Sequence, residues 1–461
     1  MTLIKSISGI RGTIGGNPGD NLTPLDIVKF TSAYGTWIKN QSSDVLRPRV
    51  IVGRDARISG SMAQQIIVGT LNGLGIDVTD IGLATTPTVE IAVTKEGASG
   101  GIILTASHNP KQWNALKLLN KKGEFISDMD GKAILSMAEK DQFVYAEVDN
   151  LGKTESKDYT QIHIDEVLAL NLVNREAIAK RNFKVSIDCV NSVGGIVLPK
   201  LLNALGVKEV IQLYCEPNGI FPHNPEPLPE HLTEISKVTK ENGADVGFVV
   251  DPDVDRLAII NEDGSMFGEE YTLVAVSDYI LSHDKGNTVS NLSSSRALRD
   301  VTVQHGGSYK AAAVGEVNVV AAMKQTNAVI GGEGNGGIIY PASHYGRDAL
   351  VGIALFLSHL ATSGHKCSQL RAKYPAYFIS KNKIELTPGI NVDAILQKVK
   401  EKYKNEQVND IDGVKIDFPA EWVHLRKSNT EPIIRIYAES TSAENADKLA
   451  KNMIEVIKSL I

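Results

Sequence analysis

Gly100 to Pro110 reads GGIILTASHNP. The first five residues are an apolar, glycine-led run of the kind that makes a short buried strand. The next six, Thr105 to Pro110, are polar, end in proline and read as a tight turn. Pro110 restricts Asn109 to extended conformations, so the turn resists relaxing into helix. Ser107, flanked by His108 and Asn109, thus stands on a strand-end turn, placed to attack or to carry a group. Taken alone, these residues equally suit a plainer role in which Ser107 and Asn109 cap a helix. Lys117 follows at the end of NALK and could point back at the serine; by itself it is equally a solvated surface lysine. No G-x-S-x-G elbow surrounds Ser107, so a Ser-His-Asp hydrolase fits poorly.

Outward from this stretch, strands alternate with helices. RVIVGRD from Arg49 reads as a strand, followed by a helix over Met62 to Leu74 and a strand near Asp77 to Ile81. The order recurs in FKVSIDCV, IVLPKLLNALG and KEVIQLY, and again in NTVSNLSSS, a helix over Ala297 to His305, and SYKAAAV. Such alternation implies right-handed crossovers and parallel or mixed sheets. The recurrence is architectural and weak in sequence, a structural repeat. The last part reads differently: a helix over Val392 to Tyr403, strands KIDF, WVHLRKS and PIIRIYAES, then a helix whose Leu449, Met453, Val456 and Leu460 form a core stripe. Boundaries are expected near Thr160, Glu262 and Tyr374, giving domains 1–160, 161–262, 263–374 and 375–461.

Composition bounds the function. The 461 residues are 42% hydrophobic and 22% charged, an ordinary globular balance. A net charge of −6 argues against nucleic-acid or membrane-surface binding but leaves room for a small anion. Cys189, Cys215 and Cys367 form no CxxC pattern, so a reducing cytoplasm is expected. MTLIKSISGIRGTIGG lacks the apolar core of a secretion signal. ALVGIALFLSHLA is too short to span a bilayer and reads as a buried helix.

Three further constellations suit phosphate chemistry. In DPDVDR, Asp251, Asp253 and Asp255 alternate along an extended loop and project to one side. Three carboxylates suit a hard divalent cation; without one they repel. An EF-hand is excluded, although Glu262 stands at the twelfth loop position, because Arg256 occupies the glycine position and LAII is a strand pattern. In GGEGNGG, Glu333 and Asn335 alternate with glycines that permit close backbone approach, a pattern that suits sugar hydroxyls as well as a flexible turn. It is neither a P-loop nor a dinucleotide fingerprint. In RKSNTEP, Arg426, Ser428, Asn429 and Thr430, with Arg435 beyond, offer hydroxyls, an amide and guanidinium groups: an anion cradle, or a polar hairpin turn.

Together, SGIRG, TASHNP, DPDVDR, GEGNGG and RKSNTEP, in this order along essentially the whole chain, resemble the α-D-phosphohexomutase superfamily of phosphoglucomutases, phosphomannomutases and phosphoglucosamine mutases. The GEGNGG and HYGRDAL wording is most similar to its archaeal-type phosphoglucosamine mutase branch. The resemblance implies an α/β protein with three similar mixed-sheet domains and a smaller C-terminal α+β domain around a central cleft. It implies that Ser107 carries the phosphoryl group, that Asp251, Asp253 and Asp255, with Ser107, hold one Mg2+, and that Glu333 and Asn335 bind sugar hydroxyls. Arg426, Ser428, Asn429, Thr430 and Arg435 would grip the phosphate not being transferred. Arg11 and Arg256 would offset charge near the transferred group, His108 would join the catalytic set beside Ser107, and Lys117 would be the acid/base, its pKa depressed by surrounding positive charge. A sugar 1,6-bisphosphate would act as activator. Two departures stand out. Gly337 replaces a histidine common after the Glu-x-x-Gly loop, with His344 as its candidate substitute, and Ala115 replaces the usual glycine of NGxK. The expected activity is isomerisation of a hexose phosphate by a monomer or homodimer. A magnesium-dependent sugar phosphatase and a non-catalytic phosphosugar-binding protein are the rival readings.

Overall fold

The computed structural model describes residues 2–6, 9–42, 45, 47–386, 390–427 and 433–460. It divides into two compact units, Met1–Thr272 with Gly336–Ser368, and Leu273–Asn335 with Gln369–Ile461.

In the first unit, a seven-stranded mixed sheet runs in the spatial order Ile4–Ser6, Gly9–Thr13, Trp113–Leu119, Gly100–Leu104, Arg49–Arg54, Asp77–Leu83, Thr154–Ser156. Its centre is parallel: Arg49–Arg54 pairs in parallel with both Gly100–Leu104 and Asp77–Leu83. All five residues of Gly100–Leu104 are buried, as an apolar run covered on both faces requires. The chain leaves this strand through the 105–112 turn and returns antiparallel as Trp113–Leu119, with Ile103 opposite Lys117. No helix follows Ser107, so the helix-capping reading of that residue falls.

A second sheet of this unit, in the order Leu257–Asn261, Val246–Val250, Lys184–Asp188, Glu209–Leu213, is parallel except for Leu257–Asn261. The aspartate loop 251–256 is therefore the hairpin between its last two strands. LAII is a strand, as the exclusion of an EF-hand required. The helix Ala349–Ser363 carries no charged side chain and has its first ten residues buried, consistent with a helix apolar all round. Its Phe356 packs edge-on against Phe248 and Phe267 at 6.1 and 5.2 Å between ring centroids. Among the described residues no helix is long and apolar enough to cross a membrane.

In the second unit, Tyr309–Ala312, Asn287–Asn291 and Ala328–Glu333 form parallel pairs. A separate antiparallel sheet follows the order Phe378–Glu385, Ile433–Ser440, Trp422–Lys427, Val414–Asp417, Gln407–Asn409. One face of it packs on the helices Val392–Lys402 and Ala443–Lys458. Met453 is at the centre of that core, and Leu449, Val456 and Leu460 pack against it, so the helical stripe serves packing. The opposite face is polar.

Candidate active site

Ser107 adopts a left-handed backbone, φ 47°, unusual for a residue with a side chain. A relay holds it there. Its N–H donates to Thr105 Oγ1 at 2.9 Å, and Thr105 Oγ1 donates to Asp55 Oδ2 at 2.7 Å. Asp55 pairs with Arg57 Nε at 3.0 Å, and Arg57, fully buried, donates to the carbonyls of Ser107, Asn109, Pro110 and Trp113. One guanidinium thus replaces the hydrogen bonds that a helix would have supplied to this turn. Sequence reading missed Asp55 and Arg57; the only local signal was a charged pair just past the strand RVIVGR.

This conformation delivers Ser107 Oγ to Asp251, donating to Oδ2 at 2.6 Å. The serine and the aspartate loop, 144 residues apart in sequence, meet directly. The loop carries its own strain: Val254, β-branched, has φ 61° and is wholly buried. That turn brings Asp251, Asp253 and Asp255 together, all fully buried, with ligand-capable oxygens within 4.8 Å of one another.

Asp251 is held on both oxygens, Asp253 and Asp255 on one each. Asp251 Oδ1 accepts the N–H groups of Asp255 and Arg256 at 3.2 Å. Asp253 Oδ2 accepts from Thr86 Oγ1 at 2.6 Å and Lys117 Nζ at 2.7 Å. Thr86 opens the helix Thr86–Lys95, so the positive end of its dipole also faces Asp253. Asp255 Oδ2 meets Arg347 at 2.7 Å and Lys117 at 3.4 Å. Among the described residues, the other oxygens, Asp253 Oδ1 and Asp255 Oδ1, are buried without a hydrogen-bond partner. Buried orphan acceptors are costly, and a hard divalent cation satisfies two at once. The donor set fits a metal ion.

The electrostatics follow from burial and these pairs. Burial and then the charges of Asp253 and Asp255 push the Asp251 carboxyl well above its usual range. For Asp253, burial pushes upward, but Lys117 and the Thr86 hydroxyl outweigh it and hold the group below that range. Lys117 corrects an expectation. Burial draws its pKa down, but Asp253 and Asp255 more than offset this, and the group is raised rather than depressed. Arg11, on the strand Gly9–Thr13, is lowered by burial and then by the charge of Arg256, so these two cations share one environment. His108 is brought down to about 2 by burial, then by Arg256. It stays neutral near neutrality, 3.9 Å from Glu226, which also faces Arg256 at 3.7 Å.

His344 lies between two carboxylates, Nδ1 3.2 Å from Glu90 and Nε2 3.2 Å from Asp348. Burial lowers its pKa, but Asp348 and Glu90 overturn this and raise it to about 10. Asp348 in turn receives His163 at 2.9 Å, and His163 meets Thr88 at 2.9 Å. This buried chain ties the helix bearing Thr86 to the segment bearing Arg347. Glu90, Thr86 and Arg347 were all missed from sequence.

The second unit holds the remaining candidates. Glu333, buried at a strand end, accepts from Asn291 Nδ2 at 2.8 Å and Gly315 N at 3.0 Å, while Asn335 is half-buried. Arg426 pairs with Asp412 at 2.9 Å, and Asp412 accepts Val314 N at 2.9 Å, next to Gly315. Arg426 and Glu333 thus belong to one neighbourhood. Arg426 lies opposite Arg435 on the neighbouring strand, and Arg435 opposite Lys383. Like charges directly opposite destabilise a sheet, and Asp412 offsets the charge of Arg426 here. Ser428, Asn429 and Thr430 lie outside the described residues.

Known proteins give the same outline. Models of the phosphoglucomutase/phosphomannomutase family match in chain order: alpha/beta/alpha domain I over residues 3–145, domain II over 161–264, domain III over 268–377 and the C-terminal domain over 385–456. The chain is 34% identical over 457 residues to a phosphoglucomutase/phosphomannomutase of Thermococcus kodakarensis, covering 98% of each. It is 32% identical over 470 residues to a phosphoglucosamine/phosphogalactosamine mutase of Sulfurisphaera tokodaii, covering 100% of this chain and 99% of that one. Its fold matches a phosphoglucomutase/phosphomannomutase family protein from Burkholderia thailandensis with a TM-score of 0.85 at 24% identity, covering 100% of this chain and 98% of that one.

Proposed function

Because the chain belongs to the phosphoglucomutase/phosphomannomutase family, we propose that it interconverts the 1- and 6-phosphates of a hexose or hexosamine, with Ser107 as the phosphoryl carrier. The observation that carries this reading is the 2.6 Å contact of Ser107 Oγ with Asp251 inside the buried aspartate trio.

Phosphorylated Ser107 gives its group to a free sugar hydroxyl. The Ser107 Oγ–P bond breaks, a sugar O–P bond forms, and the hydroxyl proton passes to a base. The resulting bisphosphate returns its other phosphoryl group to Ser107, and the isomer leaves. Asp251, Asp253 and Asp255 would hold one Mg2+, which when bound offsets charge on the transferred oxygens. Arg11 and Arg256 add fixed positive charge to that region. His108, neutral, offers a hydrogen bond without competing for the proton.

Lys117 begins the cycle protonated, because Asp253 and Asp255 face it. It suits proton donation to Ser107 Oγ as the phosphoryl group leaves, and acceptance of that proton back from Ser107 Oγ as the second phosphoryl group returns. His344, with both ring nitrogens on carboxylates, acts in this reading by fixing Glu90 and Asp348. Glu333 and Asn335 would bind sugar hydroxyls, and Arg426 and Arg435, with Ser428, Asn429 and Thr430, the phosphate that stays. A sugar 1,6-bisphosphate would prime the serine. The three cysteines are unpaired, which suits a reducing cytoplasm; we place the enzyme there, as a monomer or homodimer.

The test is a side-by-side assay of glucosamine 6-phosphate, glucose 1-phosphate and mannose 1-phosphate with Mg2+ and glucose 1,6-bisphosphate. Isomer formation from at least one is expected. Release of inorganic phosphate in place of the isomer, or no conversion of any of the three, refutes the reading.

A further inference from the structure

Within the second unit, the polar face of the antiparallel sheet and the ends of the Asn287–Asn291 and Tyr309–Ala312 strands enclose a cavity of about 310 Å3. None of the residues assigned above to the sugar or its phosphates lines it. Its walls carry Lys415, Arg299, Arg296 and Asp417, with the neutral polar groups of Tyr309 and Asn409.

The cations are unequally committed. Arg296 is spent on protein: it donates to the carbonyls of Pro419, Phe418 and Glu421 and pairs with Asp417 at 3.3 Å. Arg299 is part-exposed and pairs with its neighbour Asp300 at 3.3 Å. Lys415 is the informative residue. It is 6% exposed, and among the described residues its ammonium makes no hydrogen bond and no ion pair. Its Nζ lies over the Trp422 ring, 4.3 Å from the centroid. A cation–π contact takes one side of an ammonium and leaves its three N–H donors unused. Burial, partly countered by Asp417 and Glu439, lowers its pKa, as expected of a charge denied partners. The residue is buried and lines the cavity, so its ammonium can meet an acceptor held there.

We infer that this cavity is a binding site for a small phosphomonoester, with Lys415 and Arg299 as its cationic contacts. The lining has an excess of positive charge, three cations against Asp417. It combines a compact ammonium with a guanidinium fork, the pair of donors that takes a phosphoryl group by charge and by bidentate hydrogen bonds. The hydroxyl and amide groups suit the polar remainder of such a molecule. Ser294, also on the wall, accepts the N–H of Gly334 at 3.0 Å, so one hydrogen bond separates the cavity from the GEGNGG loop that bears Glu333.

Trp422 makes the site observable. Inorganic phosphate, titrated into the full chain while tryptophan fluorescence is followed, should give a saturable change. Lys415→Met should weaken that response about tenfold or more, the loss expected of a charge-assisted bond. Arg299→Gln, on a part-exposed helical position, should weaken it in the same direction and covers the case in which Lys415→Met folds poorly. Arg426→Ala removes the other anion grip and should leave the response intact. No saturable change in the wild type, an unaltered response in Arg299→Gln and Lys415→Met, or its loss in Arg426→Ala, each overturns the proposal.

Discussion

Arg57 shows how much of the site rests on residues that touch no substrate. It is the cation paired with the buried Asp55 carboxylate, and it donates to four carbonyls of the serine turn. Removing one partner of such a pair leaves a buried charge uncompensated, at a cost of about 3–5 kcal/mol. Arg57→Met is therefore expected to lower unfolding stability by that order in denaturant titration, and to reduce turnover by releasing the strained Ser107. A stable variant with unchanged turnover would remove the relay from the account. Ser107, the aspartate trio and Lys117 were legible in sequence because their chemistry is declared by residue type at short spacing. Arg57, Thr86, Glu90 and Arg347 were not, because each becomes relevant only when distant elements approach. The protonation of Lys117 was misread for the same reason: its nearest charges are Asp253 and Asp255, brought from 136 and 138 residues away, not the arginines.

At the scale of elements, the helix Thr86–Lys95 and the segment 344–348 are locked by Glu90, His344, Asp348 and His163. His344 is raised to about 10 in the folded protein, against about 6.5 for a free imidazole. Between those values the native state holds a proton that the unfolded chain has released. The stabilisation is complete below about pH 6.5 and is lost as pH rises through about 10, with a slope of at most about 1.4 kcal/mol per unit. Wild-type protein should lose stability across that window faster than His344→Gln, measured by urea unfolding at stepped pH. Identical slopes would show that the histidine is not held by the two carboxylates. Gly9 gives a backbone counterpart. At φ 115°, a β-carbon there would lie 2.3 Å from the Leu116 carbonyl, on the strand pair that seats Arg11 and Lys117. Gly9→Ala should lower the melting temperature, and an unchanged one would mean that this pairing tolerates displacement. The strand–helix alternation was readable because apolar periodicity is local; the packing of Phe356 on Phe248 and Phe267 was not, since it joins side chains far apart in sequence.

For the whole molecule, the aspartate trio links stability to a cation. A ligand that binds only the folded state stabilises it by mass action, about 2.7 kcal/mol at a hundredfold excess over its dissociation constant. Mg2+ should raise the melting temperature of the wild type, a chelator should reverse the rise, and Asp253→Asn should abolish it; a rise that survives in Asp253→Asn would place the ion elsewhere. The most direct measurement concerns the carrier itself. Protein incubated with glucose 1,6-bisphosphate, digested and mapped by mass spectrometry, should hold one phosphoryl group on the peptide containing Ser107, and that group should pass to added hexose phosphate. Isomerisation by a chain whose Ser107 never carries phosphate, or phosphate found on another residue, would contradict the account.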